Sequence, residues 1–360
     1  MSRNLCHLVI RADCSRAVGI GHAMRCLALV QALRDRGGVA TVAGRLAPAV
    51  AKRFQREGAR LALLPEELSR EDDARLLNDV CQAAGPGAAV VVDGYTFDEA
   101  YLAAVSRAGI VTAVIDDYNH LPSYQTQVLI NPNPNAASIA YQTAPETLRL
   151  LGTAYTPLRR EFTKACELPA REAPTMARHI LVTAGGADVE GFTLDAIQVL
   201  SRCGLPGLRV RVVLGPAYRD HERLSARLAQ APFSAEALRD VEDMTPLMSW
   251  AHLAVTAGGS TCHELACLGV PFLACPLAEN QTGLCAGYAE AGAGRLLDHS
   301  LTGFVDALGD AVARLAEDKA ARQAMAAAGR SLIDGRGASR IVEAIDTLIQ
   351  HPTPEATHVF

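Results

Sequence analysis

A histidine behind two glycines is the first feature of the sequence that could carry out chemistry. The stretch GIGHAMRC (residues 19–26) follows the apolar run HLVIRA and opens a helical pattern, which places His22 in the first turn of a helix. The positive end of a helix dipole disfavours a charged imidazolium, so a neutral ring that accepts a proton from water is expected. A histidine that only stabilises its own turn fits the same spacing, and the pattern alone leaves both interpretations open.

Glycine turns occur at three places where a predicted strand gives way to a helix. Gly19 and Gly21 form the first, Gly185 and Gly186 end the run HILVTAGG, and Gly258 and Gly259 end its near-copy HLAVTAGG. Glycine lets the backbone approach a ligand, and a helix start supplies N–H groups, so a diphosphate or a nucleotide-linked substrate is expected here. The sequence lacks GxxxxGK[ST], and GIGHAM lacks the third glycine of GxGxxG. A P-loop protein and a Rossmann dehydrogenase are therefore disfavoured.

The segment GGSTCHELACLGVPFLACPLAENQ (258–281) carries the densest set of candidate ligand-binding groups. Ser260 or Thr261 is predicted to cap a helix, and Glu264, one turn later, is placed to accept hydrogen bonds from vicinal hydroxyls. The next predicted strand ends in the polar residues Glu279, Asn280 and Gln281. HELAC reads HExxC rather than HExxH, so no metal is expected: His263 is predicted on the helix surface, with Cys262 and Cys267 in the core.

Polar side chains also stand at the ends of the first predicted strands. Arg11 is assigned to substrate binding, and Asp13 is predicted either to hold His22 or the substrate, or to cap the loop. The Tyr95 hydroxyl is predicted either to orient a ligand or merely to pack. Asp116 and Asp117 are each predicted either to face a ligand or to form a turn.

The elements that position these residues alternate between strands and helices. Short apolar runs at 7–12, 39–43, 60–64, 88–93, 110–116 and 127–131 are separated by helical patterns, which predicts a mostly parallel sheet. The pattern starts again at residue 179, where HILVTAGG opens a strand, and further strands are predicted at 209–214, 253–256, 271–275 and 294–297. HILVTAGG and HLAVTAGG are predicted to be two strands of one sheet whose glycine turns share an edge.

The fold class predicted from this alternation is α/β, with two doubly wound Rossmann-like domains facing each other across a cleft. The expected domains are residues 1–165 and 179–335, joined by the polar, proline-containing stretch 166–178 as a linker. Residues 336–360 are expected to form a C-terminal helix that packs back on the first domain, followed by a tail.

Composition limits the kind of partner. A formal net charge of −5 gives no broad basic surface, so nucleic acid is not expected as a partner, and no apolar run approaches the length of a membrane span. The ten cysteines occur singly, without CxxC pairs or a signal peptide, and are expected to be reduced core residues of a cytoplasmic protein.

Six segments together resemble one known family. They are RADCSRAVGIGHAMRC, VVDGY, VIDDYNH, LLGTAYTPLRREF, ILVTAGGAD and the 258–281 segment, and they run in order over roughly residues 7–297. The chain resembles the UDP-sugar hydrolases of pseudaminic acid biosynthesis, which belong with the GT-B glycosyltransferases and are similar to the transferase that completes lipid II.

The resemblance implies a reaction and roles for individual residues. Such enzymes hydrolyse UDP-2,4-diacetamido-2,4,6-trideoxy-β-L-altropyranose to UDP and the free sugar, by inverting attack of water at the anomeric carbon, with no metal or cofactor. It implies that the N-terminal domain serves the sugar and the water, with His22 and Tyr95 as catalytic residues. It further implies that the C-terminal domain binds UDP, with Asn280 catalytic and Glu264 on the uridine side.

Departures from the family pattern and alternative functions remain. Gly94 replaces a bulkier residue, and GGADV (185–189) lacks the usual ending of its motif, which leaves the sugar undefined. The alternatives are a GT-B glycosyltransferase that uses a UDP-amino sugar, a hydrolysing UDP-sugar 2-epimerase, and a non-enzymatic nucleotide-sugar binding protein.

Overall fold

The computed structural model describes residues 6–14, 20–106, 110–186, 188 and 191–351. Within these residues the chain divides into two compact units. Of the described residues, unit 1 contains those that fall within 1–132, 136–159 and 336–360, and unit 2 contains those within 133–135 and 160–335. The chain thus passes into unit 2 after Arg159 and returns to unit 1 at Arg336.

Unit 1 is built on a parallel sheet whose strand order is β3-β2-β1-β4-β5-β6-β7. Its strands are β1 (His7–Ala12), β2 (Val39–Gly44), β3 (Arg60–Leu63), β4 (Ala88–Asp93), β5 (Val111–Ile115), β6 (Val128–Asn131) and β7 (Leu148–Leu151). Its helices are α1 (Gly21–Asp35), α2 (Pro48–Arg56), α3 (Arg70–Ala84), α4 (Glu99–Ser106) and, at the end of the chain, α13 (Gly337–Gln350).

Both faces of this sheet are buried, as a parallel sheet between two layers of helices requires. Side chains alternate along β1, so Leu8 and Ile10 join one core with α1 and α13, and Val9 joins the other with α3 and α4. β4 is buried over its whole length. The six predicted strands of this half are confirmed, and β7 adds a seventh that the sequence did not indicate.

Unit 2 contains a second parallel sheet, of order β10-β9-β8-β11-β12-β13. Its strands are β8 (His179–Thr183), β9 (Arg209–Val213), β10 (Ser234–Leu238), β11 (Leu253–Ala257), β12 (Phe272–Cys275) and β13 (Arg295–Leu296). Its helices are α5 (Arg160–Cys166), α6 (Phe192–Arg202), α7 (His221–Ala229), α8 (Thr245–Trp250), α9 (Thr261–Leu268), α10 (Glu279–Glu290), α11 (Phe304–Glu317) and α12 (Lys319–Leu332). β8 and β11 are parallel neighbours, which confirms the prediction drawn from the two TAGG copies.

The polar stretch 166–178 is not a loose linker. Arg322, fully buried at the start of α12, donates hydrogen bonds to the carbonyls of Ala316 (2.8 Å) and Pro174. The N–H of Ala177 donates to Ala316 at 2.8 Å, and Lys319 pairs with Glu172 at 2.7 Å. One buried guanidinium thus fixes both the end of α11 and the segment that leads into β8.

Cys166 at the end of α5 and Cys267 in α9 lie side by side, with Cα atoms 5.7 Å apart. The expectation that Cys166 and Cys267 are reduced stays a prediction. All ten cysteines lie among the described residues, and the other eight are free. In the same part of the chain, no helix is both long enough and apolar enough to cross a membrane.

Candidate functional site

The strand order of unit 1 reverses between β1 and β4. Successive strands run outward from β1 to β3 in one direction and from β4 to β7 in the other. Such a switch point opens a crevice beyond the carboxyl ends of the two strands, where open α/β sheets bind ligands. Asp93 is the last residue of β4, and Asp13 follows β1 directly.

His22 lies at this switch point, in the first turn of α1. Its Nδ1 is 2.6 Å from Asp93 Oδ1, and Asp93 is fully buried. Because an ionised carboxylate only accepts hydrogen bonds, Nδ1 carries a proton and donates it to Asp93. In the neutral ring Nε2 is then the unprotonated nitrogen, which is the form of histidine that accepts a proton.

Arg25, one turn further along α1, connects Asp93 to a second carboxylate. Its Nε and Nη2 donate to Asp93 at 2.7 and 2.6 Å, and its Nη1 donates to Asp117 at 2.8 Å. Burial alone would raise the pKa of Asp93, but the Arg25 cation and the His22 ring hold it well below its usual range. Asp93 therefore stays ionised, which keeps the His22 ring in one tautomer and one orientation.

Tyr95 completes this network from the loop after β4. Its hydroxyl hydrogen bonds Asp117, and its ring stands edge-on to His22 with centroids 4.8 Å apart. Tyr118 and His120 continue the aromatic series, with centroids 5.1 and 5.6 Å from Tyr95. His22 and Tyr95, both predicted from the sequence, are thus brought together.

Asp116, beside Asp117 at the end of β5, is turned inward and organises the following loop. It accepts hydrogen bonds from the backbone N–H groups of Tyr118 (3.0 Å) and Asn119 (2.5 Å), and from the Tyr124 and Tyr141 hydroxyls at 2.8 and 2.7 Å. His120 Nδ1 contacts the same carboxylate. Burial would raise the pKa of Asp116, but these hydrogen bonds lower it to about 2. Of the two roles left open for this residue, turn formation is the one observed.

Arg11 is not a ligand-binding residue. Its side chain is fully buried, it donates to Asp73 at 2.9 and 2.7 Å and to Asp13 at 2.6 and 3.0 Å, and its guanidinium lies 4.9 Å above the Phe97 ring. All three side-chain nitrogens of Arg11 thus donate to carboxylates of the protein. The prediction is corrected accordingly: Arg11 is a structural cation.

Asp13 is bound by two arginines rather than by His22. Besides Arg11, it accepts hydrogen bonds from the backbone N–H of Arg45 at 2.8 Å and from the Arg45 guanidinium at 3.1 Å. It thereby ties the loop after β1 to the end of β2. The carboxylate that holds His22 is Asp93, which sequence reasoning had not assigned.

The structure describes only one of the two glycines predicted in the first turn. Gly19 lies outside the described residues, whereas Gly21 is the first residue of α1.

Gly94, where the family pattern has a bulkier residue, has φ +154°, and a Cβ there would come within 2.9 Å of Phe97 Cε2. In this chain the packing of Phe97 therefore requires glycine at position 94.

The second sheet has its own switch point, between β8 and β11, and glycine turns follow both strands. Gly185 has φ +73°, and the backbone carbonyls of Gly185 and Gly186 lie so near Gly215 that a Cβ there would be 2.2 and 2.4 Å away. A Cβ built on Gly259 or Gly185 meets no described atom within 4 Å. A Cβ on Gly258 would lie 2.3 Å from Cys285 Sγ. Gly258 is thus required by packing, while Gly185 and Gly259 border open space.

The helix after the second turn, α9, departs from prediction at two positions. Ser260 occupies the N-cap position without a side-chain cap hydrogen bond, and Thr261 is the first helical residue. Glu264 is half-buried in the first turn. His263 is buried, not on the surface, and its Nδ1 is 2.6 Å from the Tyr288 hydroxyl. Cys262 and Cys267 are buried as expected.

The ENQ residues begin α10. Glu279 is exposed, Asn280 is half-buried, and the Gln281 side chain accepts a hydrogen bond from the Leu277 N–H at 2.8 Å. Gln281 therefore shapes the loop between β12 and α10. Solvent reaches the Glu279 side chain, and it reaches the Asn280 side chain in part.

Asp93, Arg25 and Asp117 are the members of the unit 1 network that sequence reasoning missed or left undecided. A signal for Asp93 existed, since it is a carboxylate that ends the fully apolar run AAVVV. Arg25 had a weaker one, because it lies three residues after His22 and so on the same face of the helix.

Known proteins share parts of this sequence and the whole of this fold. Residues 179–344 match the glycosyltransferase family 28 C-terminal domain. The spore coat polysaccharide biosynthesis protein SpsG of Bacillus subtilis is 29% identical over 189 residues, which cover 50% of this chain and 54% of SpsG. The chain thus spans about half the length of this relative.

Solved structures superpose over nearly the full chain. MurG of Acinetobacter baumannii aligns with a TM-score of 0.65 at 17% identity, covering 95% of this chain and 99% of MurG. A putative UDP-N-acetylglucosamine 2-epimerase from Listeria monocytogenes aligns with a TM-score of 0.64 at 16% identity, covering 96% and 97%. The fold is therefore that of the GT-B glycosyltransferases, two α/β domains with parallel sheets, as predicted.

Proposed function

We propose that this chain hydrolyses a UDP-linked diacetamido-trideoxy sugar, UDP-2,4-diacetamido-2,4,6-trideoxy-β-L-altropyranose, to UDP and the free sugar. The observation that carries the proposal is the His22–Asp93 pair at the switch point of unit 1. When a buried carboxylate holds the Nδ1–H of a histidine, Nε2 is left to act as a general base that takes a proton from a water molecule.

The proposed reaction is an inverting substitution at the anomeric carbon. Nε2 of His22 takes a proton from water as the water oxygen bonds to that carbon. The bond from the carbon to the β-phosphate oxygen breaks, and its electron pair leaves with UDP. Asp93 stabilises the imidazolium that forms, and Arg25 keeps Asp93 ionised and in place.

Unit 2 is proposed to bind the UDP portion. Gly185 and Gly259 border open space at the switch point of its sheet, and α9 begins directly after Gly259 and Ser260. Backbone N–H groups at such a place stabilise the negative charge that develops on a leaving diphosphate. Glu264 is proposed to bind the ribose hydroxyls, and the match of this half to the family 28 C-terminal domain supports a nucleotide-sugar ligand.

Tyr95 and Asn280 are proposed as contacts to the substrate. The Tyr95 hydroxyl bonds Asp117, which Arg25 holds, so the ring beside His22 is fixed in position. Asn280 lies in the first turn of α10, where its amide can donate to or accept from a sugar substituent.

A GT-B glycosyltransferase acting in polysaccharide biosynthesis is the second candidate, and the comparisons fit it equally well. The comparisons that fit it are the match to the family 28 C-terminal domain, the MurG fold and the name of SpsG. A 2-epimerase shares the fold too. A transferase needs an acceptor, whereas a hydrolase transfers the sugar to water, and the two differ in that single requirement.

The test is an acceptor-free assay of the purified chain against a panel of UDP-sugars, with mass spectrometry of both products. We expect UDP and a free diacetamido-trideoxy sugar in equal amounts. Stable UDP-sugar in the absence of an acceptor, with UDP released once an acceptor is added, would show a transferase. A free sugar inverted at C2, detected by NMR, would show the epimerase.

A further inference from the structure

The loop after β5 in unit 1 presents an exposed aromatic side chain on a fixed backbone. Tyr118 is 39% exposed. The loop that carries it is held by Asp116, which accepts three backbone N–H groups, those of Tyr118, Asn119 and His120. Asn119 adopts φ +63°, which closes the turn. Tyr118 is thus exposed on a loop whose N–H groups at positions 118, 119 and 120 all donate to Asp116.

Tyr118 is also the outer member of an aromatic series that starts at the His22–Asp93 pair. The His22 and Tyr95 rings meet edge-to-face at 78°, and Tyr95 and Tyr118 meet at 76°. His120, whose Nδ1 contacts Asp116, lies 5.6 Å from the Tyr95 ring and 6.0 Å from the Tyr118 ring. The series leads from the buried base to solvent and forms one aromatic wall.

Such a wall suits a particular kind of sugar. Aromatic faces and edges pack against C–H and methyl groups, and gain most where the partner has little polar surface to desolvate. A 6-deoxy sugar has a methyl group in place of a hydroxymethyl, and each acetamido group adds another methyl. A common hexose offers a hydroxyl at C6, which would lose water against the ring without gaining a hydrogen bond from it.

We propose that Tyr118 is a specificity-determining residue that packs against the apolar substituents of the sugar and favours 6-deoxy, acetamido-substituted UDP-sugars over 6-hydroxy ones. This inference rests on the proposed function for the position of the sugar near His22. It assigns recognition to a residue beyond the His22–Tyr95 pair and requires no role for Tyr118 in bond cleavage.

Calorimetric titration in a His22→Ala background tests the inference without interference from turnover. Three probes are used: UDP, UDP-N-acetylglucosamine and UDP-2,4-diacetamido-2,4,6-trideoxy-β-L-altropyranose. Tyr118→Ala is expected to weaken binding of the trideoxy probe about tenfold, about 1.4 kcal/mol, and binding of UDP less than twofold. UDP-N-acetylglucosamine should change less than threefold, and Tyr118→Phe should bind all three probes as the parent does.

Leu63→Ala is the matched control, because Leu63 is an exposed apolar side chain (61% exposed) at the end of another strand of the same sheet. It should leave all three affinities unchanged. A folded Tyr118→Ala variant that binds the trideoxy probe as tightly as its parent, or that loses UDP affinity equally, would overturn the inference. A parent that binds the trideoxy probe no more tightly than UDP-N-acetylglucosamine would do so too. Failure of the hydrolase proposal shows separately, as absence of UDP release by the wild-type chain.

Discussion

The two units place the same topological feature, a switch point in a parallel sheet, in opposite chemical surroundings. In unit 1 the ends of β1 and β4 are crowded with buried charges and rings, including Asp93, Arg25 and His22. In unit 2 the ends of β8 and β11 carry glycine turns, and positions 185 and 259 border open space. Side chains held in fixed positions can transfer protons, whereas accessible backbone N–H groups can bind a phosphate. This difference is the basis of our proposal that unit 1 supplies the reacting groups and unit 2 binds the nucleotide.

The largest effect is expected from His22→Ala. Removing a positioned general base should lower kcat by about 10²- to 10⁴-fold, while UDP affinity, which we assign to unit 2, should stay within twofold. Steady-state kinetics and calorimetry on the same preparation check this, with the melting temperature as the measure of folding. Near-normal turnover in a folded variant would make His22 a residue of the turn only.

Glu264→Ala is the counterpart from unit 2. It should weaken UDP binding by roughly ten- to a hundredfold, because it removes hydrogen bonds to a charged acceptor worth about 1.5–3 kcal/mol. If His22→Ala and Glu264→Ala lose UDP affinity equally, the proposed division of roles between the two units is wrong.

Asp93→Asn tests what the Asp93 carboxylate itself contributes to the reaction. The amide no longer holds the Nδ1–H tautomer of His22, so kcat should fall by about 10²-fold or more with UDP affinity retained. Asp73→Asn is the matched variant, since Asp73 is also a buried carboxylate bound to an arginine but contacts Arg11 rather than His22. It should lower the melting temperature and leave kcat per folded molecule within a few-fold. Equal kcat losses in the two variants would argue against a specific role for Asp93.

Acid should unfold unit 1 before unit 2. The pKa of Asp116 is lowered to about 2, and those of Asp13, Asp73 and Asp93 are also lowered. Carboxylates with a depressed folded pKa stabilise the fold above their unfolded pKa, near 4, and this stability is lost as pH falls toward the folded value. For Asp116 the shift corresponds to about 2 kcal/mol.

Hydrogen exchange between pH 5 and pH 2.5, read by mass spectrometry, checks this order. Peptides from β4 and β5 should lose protection at a higher pH than peptides from β8 and β11. The reverse order would show that the buried carboxylates of unit 1 are not what its stability depends on.

The smallest effects are expected at two adjacent glycines of unit 2. Gly258→Ala places a methyl against Cys285 and should lower stability by about 1–3 kcal/mol. Gly259→Ala enters open space, so the melting temperature should hold while UDP affinity falls about threefold to tenfold, or about 0.7–1.4 kcal/mol. Thermal melts and UDP titration of the pair check this. Unchanged UDP affinity in Gly259→Ala would place the diphosphate elsewhere.

Much of the fold was predictable because strand and helix patterns are local. Apart from β7 and β10, the strands of both sheets follow from spacing, as do the shared sheet of the two TAGG copies and the position of His22 in α1. β7 and β10 were missed because LRLL and SAEAL are short segments with partly exposed side chains, without the apolar run that marks a buried strand.

Pairing between distant residues was less predictable. Asp13 and Asp93 both stand at the carboxyl ends of neighbouring strands, and no spacing tells which one His22 contacts across 71 positions of sequence. The answer depends on Arg11 and Arg45, which bind Asp13. Arg11 itself was misassigned because an arginine at a strand end looks the same in sequence whether it binds a ligand or a buried carboxylate.

The central claim is that water, activated in unit 1, attacks the sugar and releases UDP. The direct measurement is the acceptor-free reaction in ¹⁸O-water, with the masses of both products determined. Attack at the anomeric carbon places one ¹⁸O atom in the free sugar and none in UDP. Label in UDP, or no UDP release at all without an acceptor, would contradict the account.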